Sequence, residues 1–193
     1  MSHRVKNLLA IATSLTTITS RSASTISDMT THLTQRLTAL GRAHDLVRSL
    51  PNSEVKAVLL GDLLSVLLTP YDESAAFSGR IRVAVPRMGV GESTANTLAM
   101  IVHELATNSV KHGALSADTG SLDISSTINV DHIHLIWVET GSPPVEEPAE
   151  LHGYGSKMVA RSISSQLHGA IEYDWQPSGL VVTLRMKKDR LSG

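Results

Sequence analysis

The sequence predicts an α+β protein, an N-terminal helical hairpin followed by an α/β sandwich. Three observations predict it. Residues 3–21 and 28–47 carry two successive apolar patterns at helical spacing. Downstream, "GRIRVAVP", "SLDISSTINV", "HIHLIWVET", "AIEYDW" and "LVVTLRM" read as strands. Few helical patterns interrupt these strands, so the sheet should be antiparallel or mixed, with helices on one face.

Taken in order, "HRVKNLLAIATSLTTITSR" places Val5, Leu8, Leu9, Ile11, Ala12, Leu15 and Ile18 at helical spacing. The "SASTIS" stretch breaks the pattern with capping residues. From Asp28 a second stripe uses Met29, Leu33, Leu37, Leu40 and Val47, and Pro51 closes it. An αα-hairpin of this size cannot bury both stripes alone. It needs a second copy or the rest of the chain. A third helix is expected from about residue 54, in "EVKAVLLGDLLSVLLTPY", and a fourth in "ESTANTLAMIVHELATNSVKHG", with Gly113 as its stop. A last helix, "SKMVARSISSQLHG", follows the Gly- and Pro-rich residues 141–155. The expected division is 1–52 for the hairpin and 53–193 for the sandwich.

The 193 residues carry a net charge of −1, which offers no basic excess for nonspecific nucleic-acid binding. With no cysteine, disulfide scaffolds, thiolate catalysis and cysteine-bound zinc are excluded. The longest apolar runs, such as "VLLGDLLSVLL", are too short and interrupted to span a bilayer. No signal-peptide pattern follows the first residues. A cytoplasmic protein without membrane contact is expected.

The chemistry concentrates in "HELATNSVKHGAL". At about 100° per residue, Glu104, Asn108 and Lys111 fall on one line, flanked by His103 and His112. A carboxylate, an amide oxygen and an ammonium on one line suit a cation bridging phosphates, since Mg²⁺ takes one or two protein oxygens and completes its shell with water and phosphate. A solvated helical face with Glu104 bonded to Asn108 fits the same pattern. Two further segments weigh against it. "WVETGSPPV" leaves a strand with Trp137 and Glu139 on one face and turns through Gly141, so a carboxylate and a bare backbone can meet a flat base. "GYGSKMVARS" sets Gly153 and Gly155 directly before a helix, where backbone N–H groups receive phosphate. His132 and His134 alternate on a strand without a third ligand at useful spacing, which suits surface residues better than zinc.

In this order the three segments resemble the N box, G1 box and G2 box of the HWE group of sensor histidine kinases. That group is named for a histidine in the N box and a Trp-x-Glu in G1, matching His103, Trp137 and Glu139. "HRVKNLLA" looks like the phosphoacceptor H box and "LGRAHDLV" like the second hairpin helix, so nearly the whole chain is covered. The resemblance implies a dimerisation and phosphotransfer hairpin followed by the ATP-binding sandwich of the GHKL superfamily. It makes His3 the phosphoacceptor. Asn7, four residues on and so on the same helical face, would contact a phosphoryl group or a hydrolytic water. Asn108 would hold Mg²⁺ and Glu104 shape the metal and water shell. Lys111 and His112 would face the phosphates, and Glu139 would read adenine. Gly141, Gly153 and Gly155 would admit the nucleotide to the backbone. Arg4 stands where many histidine kinases have an acid, and Ser142 where a second glycine is usual in the group.

The function implied is a two-component kinase core. It would bind Mg·ATP, phosphorylate its own histidine and pass the group to a receiver-domain aspartate of a response regulator. A homodimer through the hairpin is expected, with a sensor domain lying outside this chain. The alternative is a phosphotransfer or docking protein whose sandwich has lost nucleotide. A GHKL ATPase or serine kinase without the hairpin is disfavoured by the segment beginning at His3.

Overall fold

The computed structural model describes residues 3–48, 57–73, 79–143 and 154–191. Helices α1 (His3–Ser22) and α2 (Ile26–Arg48) form the hairpin. Strand β1 (Val58–Leu59) leads directly into α3 (Leu60–Glu73), followed by β2 (Ile81–Ala84) and β3 (Gly89–Val90). The long helix α4 (Glu92–His112) precedes β4 (Ser121–Ile128) and β5 (His132–Thr140). Helix α5 (Tyr154–Gln166), β6 (Ala170–Gln176) and β7 (Gly179–Lys187) complete the sandwich.

The main sheet has the order β2-β4-β5-β7-β6. Only β2 and β4 pair in parallel, so of the two arrangements expected, antiparallel or mixed, the sheet is the mixed one. All five expected strands form. The third helix starts later than its apolar pattern implies, because Val58 and Leu59 extend to pair with Val90 and Gly89. A buried run of aliphatic residues suits a strand as well as a helix, and periodicity alone does not separate them.

Strict alternation on β5 buries Ile133, Leu135, Trp137 and Glu139 and leaves His132 and His134 on the half-exposed face. Leu122 and Ile124 of β4 and Val182, Leu184 and Met186 of β7 join the same core cluster as Leu98, Ile101 and Leu105 of α4. The hairpin forms a third layer. α2 packs on α4 and α3, and α1 touches α5. Every residue of α4 from Thr94 to Ala106 is therefore buried, polar ones included.

Between the hairpin helices, Thr25 caps α2 by accepting the Asp28 N–H at 3.1 Å. The buried face of α2 carries Arg36, Leu40, Ala43 and Val47, while Leu37 is 39% exposed. The stripe is thus rotated from the expected one and contains an arginine. Leu15, Leu40 and Val47 are each at least 95% buried, and each contributes on the order of 1.5–3 kcal/mol to docking the hairpin on the sandwich. The rest of the chain supplies the cover that the hairpin needs.

Candidate functional site

The polar line of α4 divides into two halves. His103 and Glu104 are buried, whereas Asn108, Lys111 and His112 are exposed. Glu104 Oε1 accepts the Arg36 Nε–H at 2.6 Å, and both side chains are less than a tenth exposed. The same guanidinium donates through Nη1 to Thr19 Oγ1 at 2.7 Å. A buried carboxylate requires such a partner, because its desolvation is otherwise uncompensated. One turn earlier on α2, His32 Nε2 accepts the Lys111 ammonium at 3.1 Å.

Tyr71 of α3 reaches His103 Nδ1 at 2.5 Å. Burial pushes the His103 imidazole down to about 4, with Arg36 adding to the effect and Glu104 opposing it. Burial also raises Tyr71 above the usual phenol value. At neutral pH the phenol therefore donates to a bare Nδ1, and the imidazole proton sits on Nε2. His103 is a neutral, oriented group.

Trp137 and Glu139 form a second unit. Glu139 Oε1 accepts the Trp137 indole N–H at 2.9 Å, and Oε2 accepts the Ala114 N–H at 2.7 Å. Glu139 is 4% exposed, so the carboxylate ties the end of β5 to the turn that follows α4. Gly113 ends α4 as expected, but its φ of −102° does not demand glycine. Its lack of a side chain makes room, because a Cβ there would run into the Glu139 carboxylate. Gly141 does adopt a positive φ of 78° and bends the chain sharply after β5. Beside it, Ser142 Oγ is buried with no hydrogen-bond partner among the described residues.

Gly155, in the first turn of α5, lies against Glu104, and a Cβ there would collide with Oε2. This contact brings the α4 line and the glycine-rich entry of α5 together. Gly153 lies outside the described residues. His3 and Asn7 lie on the N-terminal half of α1, and their side chains are outside the described part.

Sequence reasoning missed Arg36, Thr19, His32, Tyr71 and the Ala114 amide. Arg36 had a readable signal, since it stands three residues after Leu33 and four before Leu40, within a helical apolar face. Among the described residues no cluster of three or more His, Asp or Glu side chains could hold a metal. The donor set here, one exposed amide beside an ammonium, fits a cation held mainly by phosphate oxygens. The space beside Gly155 is taken by the Glu104 carboxylate, and the orphan hydroxyl of Ser142 fits a polar group approaching the backbone after β5.

A two-helix hairpin on a mixed five-stranded sandwich, with these three motifs converging, defines the class of histidine kinase catalytic cores of the GHKL type. Residues 1–86 match the family model described as HWE histidine kinase. "Blue-light-activated histidine kinase 1" of Erythrobacter litoralis (strain HTCC2594) is 34% identical over 181 residues, covering 92% of this chain and 49% of that protein. A blue-light-activated histidine kinase of Brucella anthropi is 30% identical over 186 residues, covering 94% of this chain and 37% of that protein. The solved histidine kinase domain of the Erythrobacter litoralis EL346 blue-light-activated kinase shares the fold, with a TM-score of 0.64 at 15% identity over 96% of this chain and 98% of that one. Family model, relatives and fold together make the chain similar to the HWE histidine kinases. It spans half or less of the length of these two curated relatives. Among the described residues, no helix is long and apolar enough to cross a membrane.

Proposed function

We propose that this chain is the ATP-dependent autokinase core of a cytoplasmic two-component sensor. The observation that carries the reading is the contact of Glu104 with Gly155, which joins the N box and the G2 glycine across fifty residues of sequence. Residues 1–52 act as the phosphotransfer hairpin and 53–193 bind ATP. Asn108 holds Mg²⁺, and Lys111 and His112 receive phosphate oxygens. Mg²⁺, when bound, supplies charge neutralisation across the phosphates. Glu139 reads the exocyclic amine of adenine, with Trp137 fixing its carboxylate, and Gly141, Gly153 and Gly155 leave room for the nucleotide.

The transfer itself asks for alignment more than covalent machinery. A neutral imidazole nitrogen of His3 donates its lone pair to the γ-phosphorus, the bond to the bridging oxygen breaks, and ADP leaves with that electron pair. Asn7, one helical turn from His3, contacts the phosphoryl group. A response-regulator aspartate then takes the phosphoryl group. A homodimer would need either the outward hairpin residues Leu9, Ile26 and Leu37 or a hairpin lifted from α4.

Incubation with γ-labelled ATP and Mg²⁺ tests the reading. Acid-labile, alkali-stable label is expected on the native chain and lost in His3→Ala and Asn108→Ala. Absence of both label and nucleotide binding would overturn it in favour of a phosphotransfer protein with a degenerate sandwich.

A further inference from the structure

We propose that the hairpin, docked as it is here, is an autoinhibitory latch that closes the phosphate side of α4, with Arg36 as the residue that holds it shut. The inference rests on reading Glu104, Asn108 and Lys111 as the ATP-facing line.

Two of the three side chains on that line are already engaged by α2. Arg36 takes Glu104 and His32 takes Lys111, from positions one turn apart. Through Thr19 the same guanidinium also fastens α1, so one side chain joins three helices. A nucleotide that uses Glu104 and Lys111 must displace these contacts, so docking of α2 and nucleotide binding compete.

The direction of α1 gives an independent argument. Thr19 is linked through Arg36 to Glu104, and His3 lies sixteen residues before it on the same helix. At a rise of about 1.5 Å per residue His3 is about 24 Å away along α1. Ala10, Ile11 and Leu15 share a 470 Å³ cavity with Asn96, Thr97 and Met100, so α1 runs back toward the N-terminal half of α4. His3 therefore lies beyond the opposite end of α4 from Lys111 and His112. In-line transfer brings reacting atoms to about 3–3.5 Å. The docked hairpin must swing before its own ATP site phosphorylates its histidine.

The division of contacts along the hairpin permits this motion. The C-terminal half of α2 is anchored by Leu40, Ala43 and Val47, whereas its N-terminal half meets the α4 line through His32 and Arg36, with Leu33 only partly buried. Breaking the polar pair leaves α1 and the N-terminal half of α2 held by a few apolar contacts, chiefly Leu15 with Ile11 and Leu33.

The chain has no cysteine, so spin labels at Thr31→Cys and Glu172→Cys, both exposed positions, report the distance between α2 and the sheet. Mg·ADP binding is measured on the same protein. Arg36→Gln is expected to lengthen the distance and to tighten Mg·ADP binding about tenfold, and Mg·ADP alone should lengthen it in the Arg36 background. Thr19→Val, which removes an anchor of the guanidinium and leaves the ion pair intact, should act in the same direction more weakly. Equal Mg·ADP affinity in all three proteins with an unchanged distance overturns the latch. A lengthened distance in Arg36→Gln with no Mg·ADP binding by any of the three supports release of α2 and overturns the ATP reading instead.

Discussion

The indole N–H of Trp137 donates to Glu139 Oε1 at 2.9 Å, two residues along the same buried face of β5. The Trp-x-Glu pattern is therefore one structural unit. The tryptophan fixes the carboxylate, and the carboxylate holds the Ala114 amide at the end of the N-box helix.

Replacing Trp137 with Phe keeps most of the buried ring but removes the donor. One lone pair of a buried carboxylate then loses its partner, at a cost of about 1–3 kcal/mol. Thermal melting should fall accordingly. Mg·ADP affinity should fall further than a merely destabilised fold implies, because Glu139 loses its orientation. Unchanged affinity in a folded Trp137→Phe protein would remove the link between the tryptophan and nucleotide recognition.

Gly113 and Gly155 predict different defects from the same substitution. At Gly113 a methyl meets the Glu139 carboxylate and the Ser109 backbone, and backbone cannot step aside cheaply, so Gly113→Ala should lower stability by about 1–3 kcal/mol. At Gly155 a methyl meets only the Glu104 side chain, which can shift. Gly155→Ala should leave the melting temperature within a few degrees of native and weaken Mg·ADP binding. Differential scanning fluorimetry read beside nucleotide titration separates the two, and equal melting losses would contradict the assignment.

His103 makes stability depend on pH. Its folded value is about 4, below the unfolded value of about 6.5, so the unfolded chain binds the proton first as pH falls. Its contribution is complete above about 6.5, declines as the medium is acidified, and is gone near 4. The full span is about 3 kcal/mol. Urea midpoints between pH 7 and pH 4.5 should drop for the native chain and drop less for His103→Gln. Tyr71→Phe should lower stability at pH 7 by leaving Nδ1 unpaired.

The sheet was legible because its strands alternate cleanly. Leu122, Ile124, Ile133, Leu135 and Trp137 announce a one-sided core from sequence alone. The two-residue ladder of Val58–Leu59 with Gly89–Val90 was not, since so short a pairing has no period to read. The polar line of α4 was visible, but its partners were not. Arg36 and Glu104 are 68 residues apart in sequence, and Tyr71 finds His103 only because α3 packs on α4. Helical periodicity shows which residues share a face and is silent on what the face meets. The position of Leu37 shows the same limit, because heptad spacing assigns it to the stripe while docking on α4 and α3 leaves it exposed.

The Arg36–Glu104 pair should be strongly non-additive. Removing either partner leaves the other charge buried and uncompensated, at about 3–5 kcal/mol, unless the hairpin lifts and returns it to water. Arg36→Met and Glu104→Gln should therefore each loosen or unfold the hairpin ahead of the sandwich, seen as early hydrogen exchange in α1 and in the N-terminal half of α2. The double variant buries no charge at all, and Met fills much of the space left by the arginine stem. Its denaturation midpoint should recover toward the native value, because an ion pair replaced by apolar or neutral groups of similar volume is often neutral for stability. A coupling energy of about 2 kcal/mol or more in the cycle is expected. Simple addition of the two single losses would mean that the charges are solvated in solution and that the hairpin does not rest on α4.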